Sequence, residues 1–268
     1  MRNIYKTFSL VIILISVLSS CSKKGCTDPM SLAYDVEASK DDGSCTYPEN
    51  IKKSLVFKVT ATWCPPCGDW GAEYVNNIYN DFSGNAEVVS VHDDSDFGVD
   101  IGYNLMSILN PTGVPSFYLG LDPMGNSGYG NVSDLISADL SITNQVSMAV
   151  EHSILDGNMI IKVQSQLENQ FSGDNCYLAL YVMEDGQVAP QQVSGVGEVV
   201  DYVHNHTLRT EANGSTFGLP IIFEDGKNLT EVTAALVSNV IWTHENLYVV
   251  AVIWQQNGSN YDFINLAR

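Results

Sequence analysis

The sequence is short of positive charge. Twelve Lys and Arg stand against 31 Asp and Glu, a formal net charge of −19. That deficit argues against binding to nucleic acid or electrostatic binding to an anionic membrane surface, both of which need a cationic face. Also lacking are a phosphate-cradling glycine loop, a dinucleotide-binding glycine pattern and any Ser/His/Asp arrangement that stands out. Beyond the N-terminal leader no stretch is long and apolar enough to span a bilayer. Charged residues of both signs amount to only 16%, while hydrophobic residues reach 45%, the balance of a globular body. A chain of 268 residues suffices for two ordinary domains with a real core.

What is present begins with a leader. Arg2 and Lys6 make a basic start, and Thr7 to Val17 is a mostly apolar stretch, too short to cross a membrane and right for a signal segment. It ends in Leu18-Ser19-Ser20-Cys21, which resembles the lipobox of bacterial lipoproteins. The resemblance implies that residues 1–20 are a signal peptide and that Cys21 is acylated, several chains on one residue giving stable anchoring. Losing Arg2, Lys6 and no acid would move the balance from −19 to −21. The expected location is the cell envelope, lipid-anchored, at the outer membrane, with membrane contact through the N-terminal lipid only.

Five further cysteines remain. Cys26 and Cys45 bracket an acidic stretch, Cys64 and Cys67 form a CxxC, and Cys176 sits in an apolar run up to Met183 that reads as a buried, inert site. Outside the cytosol a bracketing pair is expected to be oxidised. A Cys26–Cys45 bridge closes a loop of roughly 20 residues, worth about 3 kcal/mol in the chain-entropy model. Asp28, Asp35, Glu37, Asp41 and Asp42 lie inside or beside it. Clustered carboxylates suit a hard cation, but the spacing is not that of an EF-hand, and residues 21–50 read as a solvated, disulfide-closed spacer.

A β/α pattern follows over residues 51–144. Leu55 to Val59 is a strand, Trp63 to Cys67 a turn, and Pro65 and Pro66 suit the opening of a helix. Trp70, Tyr74, Ile78 and Phe82 step by four on one helical face, and Ser83-Gly84-Asn85 stops them. Glu87 to Val91 and Ser116 to Leu119 are further strands; helices are expected over about 101–109 and 132–142. From about residue 145 the period changes to two. Val146 to Glu151 and Met159 to Gln164 flank Asp156-Gly157-Asn158, a hairpin signal. More strands are expected near 177–183, 216–223, 232–237 and 248–254, which reads as an all-β sandwich over 145–268.

The CxxC carries the chemistry. At a helix start, unpaired N–H groups favour the Cys64 thiolate, which attacks a substrate disulfide; Cys67, one turn on, resolves the mixed disulfide. Half a zinc site or a static disulfide is the rival, but no second CxxC is present to complete tetrahedral zinc. Phe57 to Cys67, with Trp63-Cys64-Pro65-Pro66-Cys67 at its end, resembles the active-site strand and turn of the thioredoxin superfamily, most closely its TlpA/ResA-type exported reductases. Thr112-Gly113-Val114-Pro115-Ser116-Phe117 resembles that superfamily's cis-proline turn. The resemblance implies a catalytic set of Cys64, Cys67, Pro115 and Trp63, with the Val114 backbone free to pair with a substrate strand, and protein thiols or disulfides of the envelope as partners. One position departs from it: where thioredoxins bury an acid six residues before the first Cys, this chain has Lys58. Either the chain turns it to solvent or a cation sits behind the dithiol.

The second half, through Asp201 to Arg209 and Leu247 to Gln256, is similar to the Omp-twenty-eight family of Bacteroidetes outer-membrane lipoproteins. That resemblance implies an α/β thioredoxin-like domain followed by an all-β, Ig-like sandwich, and leaves open a non-catalytic binding or structural role. No cofactor and no metal are expected, although His204 and His206 could both reach one ion and His92 could stand near the dithiol as a proton shuttle.

Overall fold

The computed structural model describes residues 22–236 and 241–268. The expected signal segment, the lipidation site Cys21 and the end of the strand expected over 232–237 lie outside the described residues.

Two parallel two-residue strands, β1 (Lys24–Gly25) and β2 (Lys40–Asp41), belong to the acidic segment. Then follow β3 (Ser54–Thr60), α1 (Pro65–Gly68), α2 (Trp70–Asp81), β4 (Ala86–His92), α3 (Asp100–Leu109), β5 (Ser116–Leu119), β6 (Asp122–Pro123) and α4 (Tyr129–Leu140). The chain continues as β7 (Val146–Leu155), β8 (Asn158–Leu167), β9 (Cys176–Glu184), β10 (Gln187–Val193), β11 (Gly197–His204) and β12 (Thr207–Glu211). It closes with β13 (Leu219–Pro220), β14 (Lys227–Ala235), β15 (Leu247–Asn257) and β16 (Asn260–Ala267).

Local chemistry sets the element ends. The Asn110 backbone is left-handed at φ 48°, its N–H reaches Met106 O, and Pro111 bars any continuation of α3. Asp156 and Gly157, both at positive φ, make the two-residue loop that turns β7 into β8. The helical turn that Pro65 and Pro66 open is separated from the helix of Trp70, Tyr74 and Ile78 at Asp69, whose backbone is not helical.

Among the described residues nine strands form one mixed sheet, ordered β16-β15-β9-β12-β4-β3-β5-β6, with β13 beside β9. β3 runs parallel to β4 and antiparallel to β5, and all seven of its residues are buried. A strand covered on both faces must be apolar on both, which accounts for Leu55-Val56-Phe57 and Val59. Val56 faces α2 and α4, with Ile78, Phe117, Val132 and Ile136. Leu55, Phe57 and Val59 face the other way, into a core shared with α3 and with Tyr181, Val250, Val252 and Trp254. Phe57 stacks 6.5 Å from Trp254 and meets Tyr181 edge-on at 6.1 Å.

β9 and β15 alternate with period two. Tyr181, Met183, Val250 and Trp254 enter that first core; Leu180, Val182, Val249 and Ile253 enter a second, beneath the three-stranded sheet β14-β8-β7. The strand run that starts at Val146 therefore packs as two layers, one of which continues into the sheet of the preceding half. The junction is narrow: β12 pairs parallel with β4 at Thr207 and Ser90, and Ser90 N–H donates to His206 O at 2.8 Å.

The acidic segment is closed by a Cys26–Cys45 disulfide. Its carboxylates are spent locally: Asp28 accepts the Met30 N–H at 2.9 Å and the Tyr47 hydroxyl at 2.6 Å, and Lys23 pairs with Asp35 and Glu37. No group of His, Cys, Asp and Glu among the described residues is arranged to hold a metal ion. The segment docks on the three-stranded sheet through Gln164 Nε2 to Met30 O at 2.6 Å and Lys227 over the Tyr47 ring.

Candidate functional site

β3 ends at Thr60, and the chain turns through Trp63 into α1. Cys64 is the N-cap, in extended backbone, with Pro65 and Pro66 filling the first two helical positions, where the missing proline N–H costs nothing. Cys64 and Cys67 are joined in a disulfide. Cys64 Sγ accepts the Cys67 N–H at 3.2 Å and lies 3.5 Å from the Val114 carbonyl oxygen. The Val114–Pro115 peptide is cis. Pro115 is buried and stands against Gly71, where an added Cβ would come within 3.0–3.1 Å of its ring. Trp63 is 58% exposed, its indole N–H donating to Asp93 O at 3.0 Å. The four residues of the expected catalytic set thus gather at one end of the sheet.

The two cysteines, however, are each only 2% exposed. The β10–β11 hairpin, an element the sequence reading did not assign, packs against the loop and helix that carry them. Gln192 N–H donates to Thr62 O at 2.8 Å and Ser194 N–H to Pro65 O at 3.1 Å. The buried Gln191 side chain donates to the carbonyls of Cys64 at 3.0 Å and Ala61 at 3.3 Å. Gly68 is where α1 and the hairpin touch: a Cβ there would stand 2.6 Å from Gln192 O and 2.7 Å from Gln191 Cγ. Only Gly permits this approach. The sequence carried a weak signal for this hairpin, because Pro190 interrupts β10 at a register shift and few apolar residues alternate in it.

Behind the disulfide is a polar cavity of about 210 Å³, lined among others by Lys58, Cys67, Asn76, His92, Gln191 and His204. Lys58 is buried at 8% exposure, so the cation sits behind the disulfide rather than in solvent. Burial without a counter-ion pushes its pKa down to about 8. His92 Nδ1 is 3.0 Å from Asp94 Oδ2, and burial lowers this imidazole too. Asp94 is pushed up by burial, but its bonds to His92 and to the N–H groups of Phe97 and Thr62 outweigh that and hold it at about 2. His204, on β11, is lowered to about 4, chiefly by burial, and its ring meets His92 at 5.7 Å. His206 does not join them in a metal site: it stacks on Tyr79 at 4.3 Å and bonds the Tyr248 hydroxyl. Cys176 is free and buried, its thiol pushed up to about 11 mainly by burial.

Fold and site define a mixed-sheet protein whose oxidised CxxC lies at a strand-to-helix turn under a hairpin. The chain belongs to the Omp28 family: the family described as Outer membrane protein Omp28 matches residues 104–267, which places the protein at the outer membrane of the cell envelope. The match starts at Asn104, so the Cys64–Cys67 turn lies before it, whereas Pro115 and the hairpin lie within it. The fold is similar to that of HBP35 of Porphyromonas gingivalis, with a TM-score of 0.67 at 16% identity over 82% of this chain and 75% of that one. A domain of the outer membrane lipoprotein Omp28 from the same organism aligns over 47% of this chain and 86% of that one, at 15% identity and a TM-score of 0.34, too loosely for a structural argument. No curated protein matches the chain.

Proposed function

We propose that the protein is an outer-membrane lipoprotein, anchored through Cys21, that exchanges thiols and disulfides through Cys64 and Cys67 on a thioredoxin-like unit over 51–144, with the β-sandwich over 145–268 as its second part. The observation that carries this reading is the Cys67 N–H bonded to Cys64 Sγ at the cap of α1, which stabilises a Cys64 thiolate once the pair is reduced. That thiolate attacks one sulfur of a protein disulfide and releases the other as a thiolate. Cys67 then attacks Cys64 Sγ, re-forms the intramolecular disulfide and releases the second thiolate, so the substrate gains two electrons and the chain loses them. Run backwards, the same steps oxidise a dithiol. Val114 and Trp63 form the rim that a substrate strand meets.

The near-complete burial of both sulfurs favours a second reading, a static disulfide in a binding scaffold. The test is the reduction potential of the pair together with insulin reduction by wild type and Cys64→Ser. A potential above about −300 mV with turnover lost in the variant supports exchange; a lower potential without Cys64-dependent turnover leaves the scaffold.

A further inference from the structure

Lys58 is a cation that folding has sealed behind the disulfide. Its neighbours Phe57 and Val59 point into the core shared with Trp254, so strand alternation sends Lys58 to the opposite face, under α1 and α2. There its Nζ lies 3.5 Å from Cys67 O, its hydrogen-bond partner, and it forms no ion pair among the described residues. Burying an ammonium without a counter-ion is costly. The cavity beside it reaches Cys67 and is large and polar enough to hold several waters.

We propose that Lys58 is the proton carrier of Cys67, an assignment that rests on the exchange reading above. When a thiolate attacks Cys64 Sγ, the Cys64–Cys67 bond breaks and Cys67 leaves as a thiolate; the Lys58 ammonium gives it a proton and becomes a neutral amine. When Cys67 attacks a mixed disulfide on Cys64, the amine takes that proton back as the new S–S bond forms and the partner thiolate departs. No further oxidant or reductant enters. The same charge would also stabilise the Cys67 thiolate before protonation.

The groups facing Lys58 leave its titration distinguishable. His92 from β4, His204 from β11 and the adjacent His206 are all lowered from the ordinary imidazole value by burial, Tyr202 from β11 is raised above 10, and Asp94 behind His92 is far below 7. Between pH 7 and 10 only Lys58 and the thiols change charge in this cavity.

The test uses the full-length protein, with glutathione as the probe, so that no protein substrate is required. The reclosure rate of a Cys64–glutathione mixed disulfide is followed from pH 6 to 10 in wild type, Lys58→Met and Lys58→Asp. Wild type and Lys58→Met are both expected to show the ionisation of the attacking Cys67 thiol, but at a higher pH in Lys58→Met, with reclosure at pH 7 slowed by about 100-fold, the usual size of a lost proton carrier. Lys58→Asp recovers part of the rate with a different pH profile. Superimposable profiles for wild type and Lys58→Met overturn the assignment. If the variants fail to fold, the Lys58 side chain is titrated by NMR in oxidised and reduced wild type: its midpoint should move between the two states, and an unmoved midpoint overturns it. A Lys58-dependent profile with glutathione, together with inert protein disulfides, keeps this assignment and removes only the exchange reading.

Discussion

The β10–β11 hairpin is predicted to control reagent access to the Cys64–Cys67 disulfide, and the contacts that hold it can be weighed. Four hydrogen bonds tie β10 and the turn after it to the cysteine loop: Gln192 N–H to Thr62, Ser194 N–H to Pro65, and the Gln191 amide to Ala61 and Cys64. At about 1 kcal/mol net each they hold the cover down by about 4 kcal/mol. At 1.4 kcal/mol per factor of ten, the disulfide is protected about 1,000-fold. Gly68→Ala puts a methyl 2.6 Å from a backbone oxygen that cannot swing aside. Losing the two main-chain bonds costs about 2 kcal/mol, roughly a 30-fold gain in access. Gln191→Ala strips the two side-chain bonds and predicts a gain of similar size. The assay is the rate of reduction by a soluble phosphine in native buffer, with a peptide spanning Trp63 to Gly68 as the unprotected standard and urea unfolding as the control for global stability. Wild type should be reduced about 1,000-fold more slowly than the peptide and both variants about 30-fold faster than wild type. A wild-type rate equal to the peptide's, or an unchanged rate in Gly68→Ala, refutes the reasoning.

Three more outcomes are expected. Trp254→Ala empties the ring that stacks on Phe57 and should cost about 3–5 kcal/mol, with both halves unfolding in one transition; separate transitions by near-UV circular dichroism would contradict a shared core. His204 is held at about 4 in the folded chain and titrates near 6.5 when unfolded, so the unfolded state binds more protons between these values. Stability is therefore complete above about pH 6.5 and falls toward pH 4, by up to about 3 kcal/mol for this one group, and His204→Gln should flatten the urea midpoint over that range. Cys45→Ser should release residues 22–50 to limited proteolysis while leaving the main transition within about 1 kcal/mol, because few contacts join this segment to the sheets; collapse of the whole fold would show that the segment is integral.

Sequence reveals patterns that repeat locally. The apolar run of β3, the four-residue stepping of Trp70, Tyr74 and Ile78, and the Asp156-Gly157 turn were all legible because each is dictated by its own neighbours. The strand expected over 216–223 shrinks to Leu219–Pro220, since Pro220 has no N–H to extend a ladder. Burial of Lys58 was undecidable from the strand alone: alternation places it on a face, but α1, α2 and the hairpin decide that the face is closed. The tie between the hairpin and the Cys64 loop depends on Gln191, 127 positions away in sequence, and no local period encodes such a contact.

The core shared by the two halves also governs how this chain must be made. Until β9 and β15 arrive, the Phe57 side of the sheet has neither Tyr181 nor Trp254 to cover it. A chain that emerges from its N-terminus therefore carries a sticky, half-built sheet through most of its synthesis and export. Its dependence on holding factors should be set by the wait for Trp254, and a truncated product ending near residue 145 should aggregate rather than fold.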